Sequence, residues 1–132
     1  MIIYYIVQMS TYERIKELQK RRNQLLKEIF AFRLMIPGAF KEVYRKCGKP
    51  NCWCHDQAGH LLRRITWSEQ GVSRSKAIPA QDVDWIKNAT RNYRRFRSKR
   101  REMQQLDKVL KALLDDYEKE IVEKSRLAKD YL

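Results

Sequence analysis

Cys47-Gly48-Lys49-Pro50-Asn51-Cys52-Trp53-Cys54, followed by His60, is the stretch on which the reading of this chain turns. All three cysteines and both histidines, His55 and His60, fall between residues 47 and 60 of a 132-residue sequence. Zinc takes four nitrogen or sulfur ligands in a tetrahedron, and a structural site fills all four positions. Cys47, Cys52, Cys54 and one histidine meet that count. The Gly48-Lys49-Pro50-Asn51 insert carries turn-forming residues that let Cys47 and Cys52 fold back toward one ion. His60 is the preferred fourth ligand, because His55 directly follows Cys54 and adjacent side chains rarely converge on one centre. Gln57, Ala58 and Gly59 leave slack for His60 to return. The bland alternative is three reduced thiols in a loop. A disulfide or redox role is disfavoured, since three cysteines cannot all pair within one chain and the run lacks C-x-x-C. Catalytic zinc needs an open position and a carboxylate base, and Asp56 is the only acidic residue between Glu42 and Glu69.

Composition bounds the partners. A net charge of +13 and a pI near 9.9 attract polyanions, most simply nucleic acid or an anionic membrane surface. No run approaches the eighteen or more apolar residues of a spanning helix, so a soluble protein is expected. The apolar segment 1–9 lacks a basic n-region and a small-residue cleavage site. This N-terminal tail reads as a short edge strand, a docking tail or an upstream start ahead of Met9. Cysteine usage and the missing signal point to the cytoplasm.

Ser10-Thr11-Tyr12-Glu13 is a capping box that starts a helix. Ile15, Leu18, Arg22, Leu25, Ile29, Phe32 and Ile36 then follow 3-4 spacing, which predicts a first long helix over 10–36 ending at Pro37-Gly38. Residues 37–79 form a small β module around the cysteines. Val43-Tyr44-Arg45 is a strand there, and 61–67 and 72–78 form a hairpin through Gly71. A sheet of about 40 residues is too small to hold itself by burial alone, and metal ligation supplies what its core cannot. From Pro79 onward no Pro or Gly interrupts the chain, so a second long helix occupies 80–132. Ile86, Ala89, Tyr93, Phe96 and Met103 form its early inner stripe. The expected fold is mainly α with a small β zinc knuckle, the two helices forming an antiparallel, coiled-coil-like hairpin.

Charge is divided along the chain: 23 Lys and Arg face 8 Asp and Glu up to residue 101, and 6 face 8 beyond it. Arg91, Arg94, Arg95, Arg97, Lys99, Arg100 and Arg101 place seven cations in eleven residues, with few acids nearby to neutralise them. The planar guanidinium grips phosphate with two bonds at once. Arg45, Lys46, Lys49, Arg63, Arg64, Arg74 and Lys76 add a second basic patch on the knuckle. Leu106, Leu110, Leu113, Tyr117 and Ile121 continue the apolar stripe past the reach of the first helix, which predicts a homodimer or a helical partner protein.

Cys47-Gly-Lys-Pro-Asn-Cys-Trp-Cys with His60, the Gly71 turn with Ser73-Arg74-Ser75, Ile78-Pro79, and Asn92-Tyr93-Arg94-Arg95-Phe96 together resemble a small prokaryotic family without settled activity. Its members pair a C-G-K-P-x-C-x-C zinc-ribbon-like segment with N-Y-R-R-F on a helix, and are often encoded beside insertion-sequence transposases. The resemblance covers roughly residues 12 to 115 and implies a mobile-element setting. This chain departs from the family pattern at His60-Leu61-Leu62-Arg63-Arg64-Ile65, where aromatics are usual.

Two functions follow. The first is a non-enzymatic, zinc-stapled nucleic-acid-binding protein, with DNA favoured over RNA. The second is a coiled-coil adaptor for a partner protein such as a transposase. An enzyme is disfavoured because paired carboxylates, a Gly-rich phosphate loop and a nucleophile with a His partner are all missing from the sequence.

Overall fold

A computed structural model describes residues 9–129, so all of the 1–9 tail except Met9 lies outside the described residues. The fold is mostly helical with one small antiparallel sheet. Helix α1 spans Thr11–Phe30, strand β1 Ala39–Arg45, β2 His60–Glu69, β3 Val72–Ala77, and helix α2 Val83–Lys129. Short 3-10 turns at Trp53–Asp56 and Ala80–Asp82 precede β2 and α2. Two compact units result. One combines α1 with α2 from Arg97 onward, and the other spans Phe32–Phe96.

Helix α1 begins on a complete capping box. The Ser10 hydroxyl accepts from the Glu13 amide at 3.2 Å, and the Glu13 carboxylate accepts from the Ser10 amide. The helix stops at Phe30, six residues short of the expected end at 36. Its backbone is claimed elsewhere. The Ile36 amide donates to the Ala89 carbonyl at 3.1 Å, and the Asn92 side-chain amide donates to the Leu34 carbonyl at 3.1 Å. Pro37 also biases Ile36 away from helical backbone. Ile36 therefore packs with the sheet unit, beside Phe40, Trp67 and Ile86 around the buried Ile65, Ile78 and Val83.

The three strands lie in the order β1-β2-β3. Phe40 stands opposite Ile65, Lys41 opposite Arg64, and Thr66 opposite Ser75. Gln70 and Gly71 both take positive φ, 52° and 80°, the two-residue hairpin geometry whose twist matches the strands. Alternation puts Phe40, Ile65 and Trp67 on one face, where Val83 and Ile86 of α2 cover them.

Helix α2 is unbroken for 47 residues, about 70 Å at 1.5 Å per residue. In the first unit Leu25, fully buried, packs with Met103 and Leu106, and Leu18, Leu26 and Ile29 surround them. Thr11 donates to Glu120 at 2.6 Å, Arg22 pairs with Asp107, Arg21 with Glu102, and Lys99 with Glu28. Arg22, which interrupts the apolar stripe of α1, is thus an ion-pairing position. These contacts correct one expectation: Leu106 has an intrachain partner, and α1 begins beside residue 120. Lys99 first, then Gln24, hold the Glu28 carboxyl below its ordinary value. That contribution is present at neutral pH and is lost as pH falls through the lowered pKa.

Truncating Leu25 should expose how much this small core carries. Leu25→Ala is expected to lower unfolding free energy by about 2–5 kcal/mol in urea titrations followed by circular dichroism. The exposed Lys27→Ala should change it by less than about 0.5 kcal/mol.

Candidate metal centre

The turn between β1 and β2 brings four soft ligands together. The ligand atoms of Cys47, Cys52, Cys54 and His60 all lie within 4.8 Å of one another. The Cys47 and Cys54 sulfurs are 3.5 Å apart, and the Cys52 sulfur is 3.2 Å from His60 Nε2. A zinc tetrahedron with bonds of about 2.3 Å to sulfur and 2.0–2.1 Å to nitrogen has edges of about 3.5–3.8 Å. The donor set suits such an ion in number and type, and the 3.5 Å between the Cys47 and Cys54 sulfurs matches one such edge. His55 is exposed and does not join the cluster.

Local backbone explains the convergence. Gly48 turns the chain at φ 81°, and the Cys52 amide donates to the Lys49 carbonyl at 3.2 Å. Cys52 then caps the 3-10 turn Trp53–Asp56, whose curl buries Cys54 to 1% exposure. The Cys47 amide donates to the Cys54 sulfur at 3.4 Å, a bond that favours a thiolate there. His60 enters as the first residue of β2, opposite Arg45. Gly59 supplies a close approach and not slack: at φ 112°, a Cβ would fall 2.5 Å from the Arg45 carbonyl carbon. Only glycine fits.

The thiols differ electrically. The Lys49 backbone amide first, then His60, Cys54 and Cys52, push Cys47 down to about 6, so it is a thiolate at neutral pH. For Cys54 the Cys47 amide pulls downward, but burial and the two neighbouring sulfurs outweigh it and leave the thiol raised. An ion bound here displaces such protons. Trp53 packs edge-on against His60, ring centroids 4.8 Å apart, and steadies the imidazole. Lys46 donates to the His55 carbonyl at 2.9 Å and ties the turn to the end of β1.

The basic residues divide into paired and unpaired sets. Arg63 lies 3.7 Å from Glu42, Arg74 is 3.0 Å from Glu69, and Lys99 is 2.8 Å from Glu28. Arg45, Lys49, Lys76, Arg91, Arg94, Arg95, Arg97, Arg100 and Arg101 are exposed and enter no ion pair among the described residues, and Arg64 also enters none. Sequence reasoning missed Lys41. It faces Arg64 across the sheet, and only strand register reveals that pairing. Leu110 and Leu113 of the expected association stripe are half-buried, while Tyr117 and Ile121 are 37% and 42% exposed.

Among the described residues no helix is long and apolar enough to cross a membrane. A family model described as a domain of unknown function, DUF6788, matches residues 15–88. That span takes in all four clustered ligands and stops short of Asn92-Tyr93-Arg94-Arg95-Phe96. Neither curated proteins nor solved structures give a match.

Zinc competition against a colorimetric chelator separates the two histidines. His60→Ala should weaken zinc binding at least tenfold, and His55→Ala should leave it within about twofold; the reverse order would reassign the fourth ligand. Gly59→Ala should weaken zinc as His60→Ala does, although it removes no donor atom.

Proposed function

The chain belongs to the DUF6788 family, a domain of unknown function, and from its residues we propose a non-enzymatic, zinc-stapled nucleic-acid-binding protein that grips the phosphate backbone with the Arg-rich part of α2. The observation that carries this reading is the unpaired state of its cations. Arg91, Arg94, Arg95, Arg97, Arg100 and Arg101 are exposed and have no carboxylate partner among the described residues. Elsewhere in the chain Lys20, Arg21 and Arg22 each pair with an acid. The run 91–101 holds no acidic residue, so these guanidinium groups have no carboxylate within the run to pair with, whereas 102–132 holds 8 Asp and Glu against 6 Lys and Arg. The unpaired guanidinium groups suit two-bond contacts to phosphate, and phosphate contacts give affinity and orientation without sequence choice.

On this reading zinc is structural. It holds the turn between β1 and β2 so that the knuckle cations Arg45 and Lys49 keep a fixed placement. The α1 and α2 contacts of the first unit follow antiparallel order, 11 with 120, 22 with 107 and 28 with 99, which suits a helical hairpin. DNA is favoured over RNA through the resemblance to proteins encoded beside transposases.

A second reading rests on a different observation. Leu114, Tyr117, Ile121 and Val122 are 37–50% exposed on the last third of α2. An apolar stripe of this kind suits burial against a second copy or the helix of a partner protein such as a transposase. The adaptor and the nucleic-acid binder share this surface, and they differ in what the arginines do.

Electrophoretic mobility shifts over a salt series test the choice. Log affinity for duplex DNA should fall linearly with log salt, and Arg94→Glu, Arg95→Glu and Arg97→Glu together should flatten the slope by roughly 0.9 for each phosphate no longer neutralised. Submicromolar binding that ignores salt, or a triple variant with the wild-type slope, would contradict the proposal.

A further inference from the structure

The sheet has two unlike faces. On the face covered by α2, Arg63 meets Glu42 and Arg74 meets Glu69, so these two cations are answered by carboxylates of the same sheet. The opposite face carries Lys41, Arg64, Thr66, Ser68, Ser73 and Ser75, placed together by strand register with the apolar Val43 and Leu62 beyond them, and no carboxylate of β1, β2 or β3 points to it. Lys41 and the three serines are exposed. Among the described residues none of these four side chains has a hydrogen-bond partner, and Arg64 Nε is out of contact with solvent and unpartnered. A groove of about 340 Å³ at this end of the sheet is lined by Lys41, Thr66, Ser68, Ser73 and Ser75 of this face, with Trp67 and Arg74 of the intervening positions.

The same face continues to the metal turn. Arg45 and His60 are its last register pair, and Trp53 packs its edge against the His60 ring while staying 57% exposed. An indole held by a metal ligand and open to solvent is a rigid platform. It costs little ordering to stack a base on it, whereas burial in a core would have hidden it.

Cations and hydroxyls at one end, the apolar pair Val43 and Leu62 next, then Arg45 and an aromatic ring at the other end, without a strand carboxylate among them, offer the two parts of a single-strand site: cations for the backbone and a stacking surface for a base. Bases in a duplex are already stacked on each other and offer no free face to Trp53. Resting on the nucleic-acid reading above, we propose that the uncovered sheet face, ending at Trp53, is a binding track for single-stranded nucleic acid. The strand length from His60 to Ser68, about 26 Å at 3.3 Å per residue, accommodates a segment of about four nucleotides, the low end of known single-strand site sizes.

Fluorescence anisotropy with the full zinc-loaded chain, a labelled oligothymidylate and a matched duplex tests the track. Trp53→Ala should weaken oligothymidylate binding about 5- to 150-fold with an unchanged salt slope, leave duplex binding unaffected, and be largely rescued by Trp53→Phe. Lys41→Gln with Arg64→Gln should instead flatten the single-strand salt slope by about 0.7 for each phosphate left without its cation. Zinc content is measured for each variant, and if Trp53→Ala also releases zinc, the Lys41 and Arg64 variant decides. Wild-type binding to oligothymidylate that neither variant changes by more than twofold overturns the track and leaves the arginine reading standing. Tight duplex binding without single-strand binding does the same. A wild-type chain that binds neither overturns the nucleic-acid reading and this inference with it.

Discussion

The convergence of Cys47, Cys52, Cys54 and His60 is the constraint on which the middle of this chain depends. Fourteen residues separate the end of β1 from the start of β2, and little apolar burial holds that connection: Cys54 is its buried side chain and Trp53 stands exposed. A loop of this length has no reason to keep one conformation unless something draws its ends together. Four donors lie within 4.8 Å of one another, one of them already favoured as thiolate, and on the proposed reading zinc bound to them provides that draw. The pairing of Arg45 with His60 follows, and with it the register of all the β1–β2 pairs.

Register then sorts the charges. One strand position of slip would exchange the two faces of β2, turning Ile65 and Trp67 outward and Arg64 and Thr66 toward α2. With the register held, Glu42 and Glu69 answer Arg63 and Arg74 of the covered face, while Lys41 and Arg64 have no carboxylate beside them on the open one. The helices repeat the division. Arg21, Arg22 and Lys99 are engaged in holding α1 to α2, and the remaining arginines of the 91–101 run are not. Net charge alone therefore overstates the surface open to a polyanion.

Much of this was legible in the residues. The ligand set could be named because soft ligands are rare and fall in one window, and the capping box at Ser10 and the absence of Pro and Gly after Pro79 mark the helix starts and the length of α2. The end of α1 was not legible. Phe32 and Ile36 continue the helical period, but hydrogen bonds from Ile36 to Ala89 and from Asn92 to Leu34 take those backbone groups, and local periodicity carries no information about such distant partners. The role of Gly59 was hidden for the same reason: a glycine before a ligand reads as slack until the Arg45 backbone is seen against it. The open face required knowing that Lys41 lies beside Arg64, residues 23 apart in the chain.

X-ray absorption at the zinc edge of the full chain measures the ligation directly. Three sulfurs at about 2.3 Å and one nitrogen at about 2.0–2.1 Å are the predicted shell. A shell of oxygens and nitrogens with fewer than three sulfurs, or a chain that retains no zinc, would contradict it.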